Sequence, residues 1–161
     1  MFKVLSLQNF DRKKYFVVVH PFELAGLGES LAINAYRTLT SLVLLTHTSY
    51  HSDPEPLCGL SRELGFIAGN NILEELQLVM WFNEDASSYL NHSLWSAFDS
   101  MLTDSGAFPV LGRVSVMFGW FSKYISETEM DAVLEGLKET NFPRLVESEA
   151  VEFDFSVSRH S

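Results

Sequence analysis

The stretch A-V-E-F-D-F-S-V-S, residues 150–158, decides how the fold is read. Val151, Phe153, Phe155 and Val157 alternate with Glu152, Asp154, Ser156 and Ser158. Side chains along a strand point to opposite faces in turn, so this is a strand with one apolar face and one wet face. A wet face is the habit of antiparallel sheets, because parallel sheets are usually covered on both sides.

Other segments carry the same kind of signal. F-K-V-L-S-L (2–7) and Y-F-V-V-V-H (15–20) flank a polar stretch, which predicts a hairpin or meander edge. His20-Pro21 ends the second of these, since proline cannot donate to a ladder. E-L-Q-L-V-M-W-F (75–82) is apolar and of strand length. G-R-V-S-V-M-F-G-W-F (112–121) places Val114, Val116 and Phe118 on one face.

Between them the spacing predicts three helices. In residues 29–45, apolar positions 31, 35, 36, 39, 42 and 43 fit the helical period, although L-T-S-L-V-L-L-T-H-T also alternates as a strand. Ser87 or Ser88 caps a second helix with Leu90, Leu94, Trp95, Phe98, Met101 and Leu102 on its apolar face. Ser126 and Glu129 form a capping box before Met130, Val133, Leu134 and Leu137, and Asn141 and Pro143 stop that third helix. Residues 46–59 read as a loop, and 61–71 as ambiguous between helix and turn. No internal repeat of fixed period stands out. The expectation is one globular α+β domain spanning residues 1–161. It has a single sheet of about five mostly antiparallel or mixed strands, with three helices packed mainly on one face.

Composition bounds the environment. Hydrophobic residues make up 47% of the chain, which suits a packed globule and not a disordered one. The single cysteine, Cys58, forms no internal disulfide and needs no oxidising compartment. The first residues lack a signal-peptide pattern, and no apolar run approaches the roughly 20 residues of a membrane span. A soluble, cytoplasmic protein is expected.

The net charge is −10, unevenly placed. Residues 1–62 hold six bases and five acids, whereas residues 63–161 hold sixteen acids and five bases. From the residue after Arg62 to the one before Arg113 there is no Lys or Arg. Such a field repels nucleic acid and anionic membrane and attracts basic surfaces.

The chemical motifs are weak. His47 and His51 have the i, i+4 spacing of a helical metal pair, with Asp53 and Glu55 nearby. Thr48 stands where a zincin needs glutamate, and the segment is not helical in character, so no metal is expected. Cys58, beside Leu57 and Leu60, reads as a small buried residue before it reads as a nucleophile. No G-x-S-x-G elbow occurs, and the glycines of G-L-G-E-S and G-F-I-A-G-N-N match neither phosphate-binding fingerprint. Glu74-Glu75 and Glu84-Asp85 could divide acid and base roles in a cleft, but as adjacent pairs flanking a strand they read as solvated. No cofactor is expected.

What remains is an aromatic and acidic region: Glu74, Glu75, Trp81, Glu84, Asp85, Asp99 and Asp104. Aromatic anchors ringed by carboxylates suit a basic protein partner. The expected function is therefore a non-catalytic binder that neutralises or inhibits a basic protein, such as one that acts on nucleic acid. In general character alone this resembles bacterial immunity proteins and phage inhibitors; no residue motif of such a family is matched. Two alternatives stand beside it. One is a small-molecule enzyme or ligand-binding domain with a Phe-lined pocket, in which His20 is the first residue to inspect. The other is an assembly subunit.

Overall fold

In the computed structural model, residues 14–18, 26–34, 37–48, 59–83, 92–121 and 136–160 are described. Five strands run through them: β1 (Lys14–Val18), β2 (Ser41–Thr48), β3 (Glu75–Asn83), β4 (Arg113–Phe121) and β5 (Glu152–His160). They form one sheet in the order β1-β2-β3-β4-β5, and every neighbouring pair is parallel. This corrects the expectation of a mostly antiparallel or mixed sheet. β1 pairs with β2, in parallel, and the proposed hairpin partner at residues 2–7 lies outside the described residues.

The helices are α1 (Leu27–Asn34), α2 (Leu60–Gly65), α3 (His92–Leu102), α4 (Leu137–Asn141) and α5 (Pro143–Glu147). Five are therefore found among the described residues where three were expected. Two come from local choices that periodicity cannot see. The segment read as ambiguous supplies α2. Pro143, expected to end a helix, opens α5, where its missing N–H costs nothing. The long first helix stops at Asn34, and Leu42–Leu45 joins the sheet instead. The capping box at Ser126 and Glu129 lies outside the described residues.

Parallel neighbours need crossovers, and crossovers are right-handed. When the strand order never reverses, every right-handed crossover falls on the same side. The core bears this out. Leu42, Leu44, Leu76, Leu78, Met80, Val114, Val116 and Phe118 share one cluster with α-helical Leu27, Leu31, Leu60, Leu64, Trp95, Phe98, Leu102, Leu137 and Leu145. Strand residues of the other parity, including buried Val43 and Val79, lie outside that cluster. One face of the sheet is thus covered by the described helices. This explains the alternation in residues 150–158 without any antiparallel pairing.

The register places Lys14, Ser41, Glu75, Arg113 and Glu152 in equivalent positions, at intervals of 27, 34, 38 and 39 residues. The unequal intervals hide a repeat. Leu39-x-x-Leu42-x-Leu44, Leu73-x-x-Leu76-x-Leu78 and Leu111-x-x-Val114-x-Val116 occupy the same places in three successive units, and each of these side chains is buried. At β5 the pattern decays to Phe153 and Phe155, which are half-buried.

The units are tied by polar contacts as well as by the core. Asn71, buried, donates to the carbonyls of Ile67 and Ala107, both at 2.8 Å, and accepts from the Leu73 N–H at 3.2 Å. Trp95 packs against Phe118 and Phe142 with ring centroids 5.2 Å away in each case. Phe142 continues the stack to Phe153 and Phe155.

Candidate binding surface

The sheet face that the described helices leave uncovered is built by strand parity. Register aligns four rows across it: Ser41–Glu75–Arg113–Glu152, Val43–Gln77–Ser115–Asp154, Leu45–Val79–Met117–Ser156 and His47–Trp81–Gly119–Ser158. Neighbouring strands lie about 4.8 Å apart, so residues in one row are close neighbours across the sheet. Glu75, Gln77, Ser115, Met117 and Trp81 are half-exposed, and Arg113, Glu152, Asp154 and Ser156 are exposed.

Trp81 has a specific seat. Its register partner is Gly119, and a Cβ on Gly119 would run into Cε3 and Cζ3 of the Trp81 ring. The absence of a side chain at Gly119 lets the indole lie flat across the neighbouring strand. A large, rigid, half-exposed aromatic is thereby fixed on a face that mixes apolar Leu45, Val79 and Met117 with polar side chains.

Those residues singled out from sequence that are described do not form one group. Glu74 is exposed at the N-terminal end of β3, and its carbonyl accepts the N–H groups of Gly112 and Arg113 at 2.9 and 3.0 Å. Glu75, beside it, accepts from the Ser41 hydroxyl at 3.0 Å. Asp104 is exposed in the turn after α3, where its carboxylate accepts the Gly106 N–H at 2.8 Å. Trp81 stands toward the other end of β3, roughly 20 Å from Glu75 at 3.3 Å per residue. Glu84, Asp85 and His51 lie outside the described residues, as do Cys58 and His20.

Asp99, expected on an outward surface, is inside the protein with 1% of its surface exposed. Its two carboxylate oxygens accept the N–H groups of Arg144 and Leu145 at 2.9 and 2.8 Å. These are orphan donors of the first turn of α5, so a carboxylate from α3 caps a helix 45 residues away. Arg144 also reaches the Ser100 hydroxyl at 3.0 Å. Glu63 does similar work. It is 2% exposed, accepts the Gly28 N–H at 2.9 Å, and meets the Arg62 guanidinium at 3.1 Å.

Reasoning from sequence missed Glu152, Asp154, Gln77, Ser115 and Met117 as members of one surface. The polar parity of residues 150–158 was legible; that the same parity on β3 and β4 also lies away from the described helices was not. The glycines of G-L-G-E-S also find their reason. Gly26 has φ +86°, and a Cβ on Gly28 would collide with the Glu63 carbonyl, so α1 and α2 are in backbone contact there.

Of the described phenylalanines, Phe98, Phe108, Phe118 and Phe142 are buried in the core, whereas Phe66 is exposed. An open depression of about 450 Å³ is lined by Ala32, Arg37, Phe66, Ile67 and Asn70. Open α/β sheets bind ligands where the strand order reverses, and the described strands contain no such point. Among the described residues, no three His, Cys, Asp or Glu stand together as metal ligands, and no helix is long and apolar enough to cross a membrane. His47 lies on β2, not on a helix. Comparison with family models, curated proteins and solved structures finds no match for the chain.

Proposed function

We propose that this chain is a non-catalytic binding scaffold whose uncovered sheet face receives a basic segment of another protein. The observation that carries the reading is the one-sidedness of the sheet: the described helices share one face, and the other presents half-exposed Trp81 and Met117 toward one end and Glu75, Glu152 and Asp154 toward the other. Such a surface has the parts of a protein-binding patch. Trp81 and Met117 supply anchoring area, and Glu75, Glu152 and Asp154 supply steering charge.

The repeated pattern supports the same reading. L-x-x-L-x-L with one strand and one helical crossover per unit is the arrangement of leucine-rich repeats, here with longer intervals. In solenoids of this kind the extended face of stacked strands is the binding surface. A net charge of −10 selects basic partners over nucleic acid.

The test is photo-crosslinking in extracts of the native host. A benzophenone amino acid is placed at Met117 on the uncovered face, or at exposed Val146 on α5. The expected result is a discrete adduct with a basic protein from Met117 alone, in a yield that falls as salt rises. Equal adducts from both positions, or a yield indifferent to salt, would refute the proposal. An adduct between two copies of this chain would instead establish the assembly-subunit alternative.

A further inference from the structure

The two sheet edges among the described strands are β1 and β5. In a parallel strand each residue sends its N–H and C=O to the same side, and successive residues alternate sides. The Glu152 N–H donates to the Gly112 carbonyl at 2.9 Å, so Glu152, Asp154, Ser156 and Ser158 bond to β4. Phe153, Phe155 and Val157 therefore direct their backbone groups outward, along the free edge. Their side chains are also incompletely covered: Phe153 and Phe155 are half-buried, and Val157 is 38% exposed. Among the described residues, the edge thus offers a ladder of unpaired donors and acceptors beside an unfinished apolar layer. Natural proteins normally blunt such an edge with Lys, Pro or a bulge. Here residues 150–158 contain none of the first two.

Every charged residue from 147 to 158 is acidic. Glu147, Glu149, Glu152 and Asp154 are all exposed. Arg113 neighbours Glu152 in the ladder, but Asp154 neighbours Ser115. Arg159 stands at the far end of the strand. Two copies pairing edge to edge would bring these carboxylates together, and like charges across a strand pair are destabilising. A strand carrying Lys or Arg meets the opposite situation.

We propose that the free edge of β5 is a strand-docking site for an extended segment of a protein partner in which basic and apolar residues alternate. Its backbone would extend the ladder, its apolar side chains would cover Phe155 and Val157, and its basic side chains would meet Glu152 and Asp154. This goes beyond the uncovered face, and each is tested by its own readout.

The experiment uses a nine-residue probe alternating lysine with valine and phenylalanine. It is compared with a glutamate-for-lysine version, with a scrambled version, and with one N-methylated at alternate residues. Binding to the full chain is followed by fluorescence anisotropy, and its location by amide NMR shifts. The lysine probe is expected to bind at least about tenfold more tightly than the glutamate probe, as opposite and like charge pairs require. Shifts centred on Phe153, Phe155 and Val157, and loss of binding on N-methylation, are also expected. Val157→Pro removes an outward N–H without touching the β4 ladder and should abolish binding. Glu152→Lys with Asp154→Lys should reverse the preference. Equal binding of the scrambled or N-methylated probe overturns the proposal, even if Val157→Pro fails to fold. A wild-type dimer in sedimentation that the lysine probe cannot dissociate also overturns it, naming a second copy as the occupant.

Discussion

Asp99 shows what a single acid does when geometry encloses it. Both its oxygens are committed to the first turn of α5, and the side chain has no route to solvent. Asp99→Ala leaves two donors without their partner, and the loss should be about 3 kcal/mol in urea unfolding. Asp99→Asn keeps one acceptor and should cost less than the alanine. Equal costs would mean that the second oxygen contributes nothing. Gly119 is the opposite case, a residue whose use is its lack of a side chain. Gly119→Ala should displace the Trp81 ring at a cost of about 1–3 kcal/mol, read from unfolding and from the Trp81 indole NMR resonance. Asn141 is fully buried, and its amide has no hydrogen-bond partner among the described residues; nothing in the structure explains why it is polar. Asn141→Leu should leave stability unchanged or raise it by up to about 1 kcal/mol.

At the scale of the element, each strand is held by what its helical crossover presses onto it. The α1–α2 contact depends on Gly28, where any Cβ meets the Glu63 backbone. Gly28→Ala must separate the two helices and should destabilise by about 2–3 kcal/mol. Hydrogen exchange would locate the effect: protection should fall first in α1 and α2 and last in β4. Uniform loss would mean that the units are not separable. In the last unit, Phe142 bridges Trp95 to Phe153 and Phe155. Phe142→Ala should cost about 3–5 kcal/mol and loosen β5 more than β3. Strand identity was well legible in sequence at β3, β4 and β5, because their apolar runs are short and regular. At β2 the same residues satisfied both periods. Pairing to β1 and β3 settled it, since Leu42 and Leu44 are buried only when the segment lies in the sheet.

At the scale of the whole molecule, the order of the described strands never reverses. That order puts the described helices on one side, and the other side is the one proposed to meet a partner. Reversing charge there with Glu152→Lys and Asp154→Lys should change stability by no more than about 0.5 kcal/mol, because both side chains are exposed. The same double change should slow association with the protein cross-linked from Met117 by roughly tenfold at low salt, and by less as screening rises. An unchanged association rate would reduce the acidic face to a solubility coat.

The sequence by itself determined the strands at 75–82, 112–121 and 150–158, the apolar face of α3, and the acidic imbalance, because each is written in local periodicity or in composition. Tertiary structure alone decided that the strands are parallel, that Asp99 is buried, and that Glu152 and Asp154 share a surface with Trp81. The physical reason is common to all three. Alternation says that a strand has a wet face, but not which neighbour lies beside it. A carboxylate's place is set by the backbone donors that come to meet it from 45 residues away.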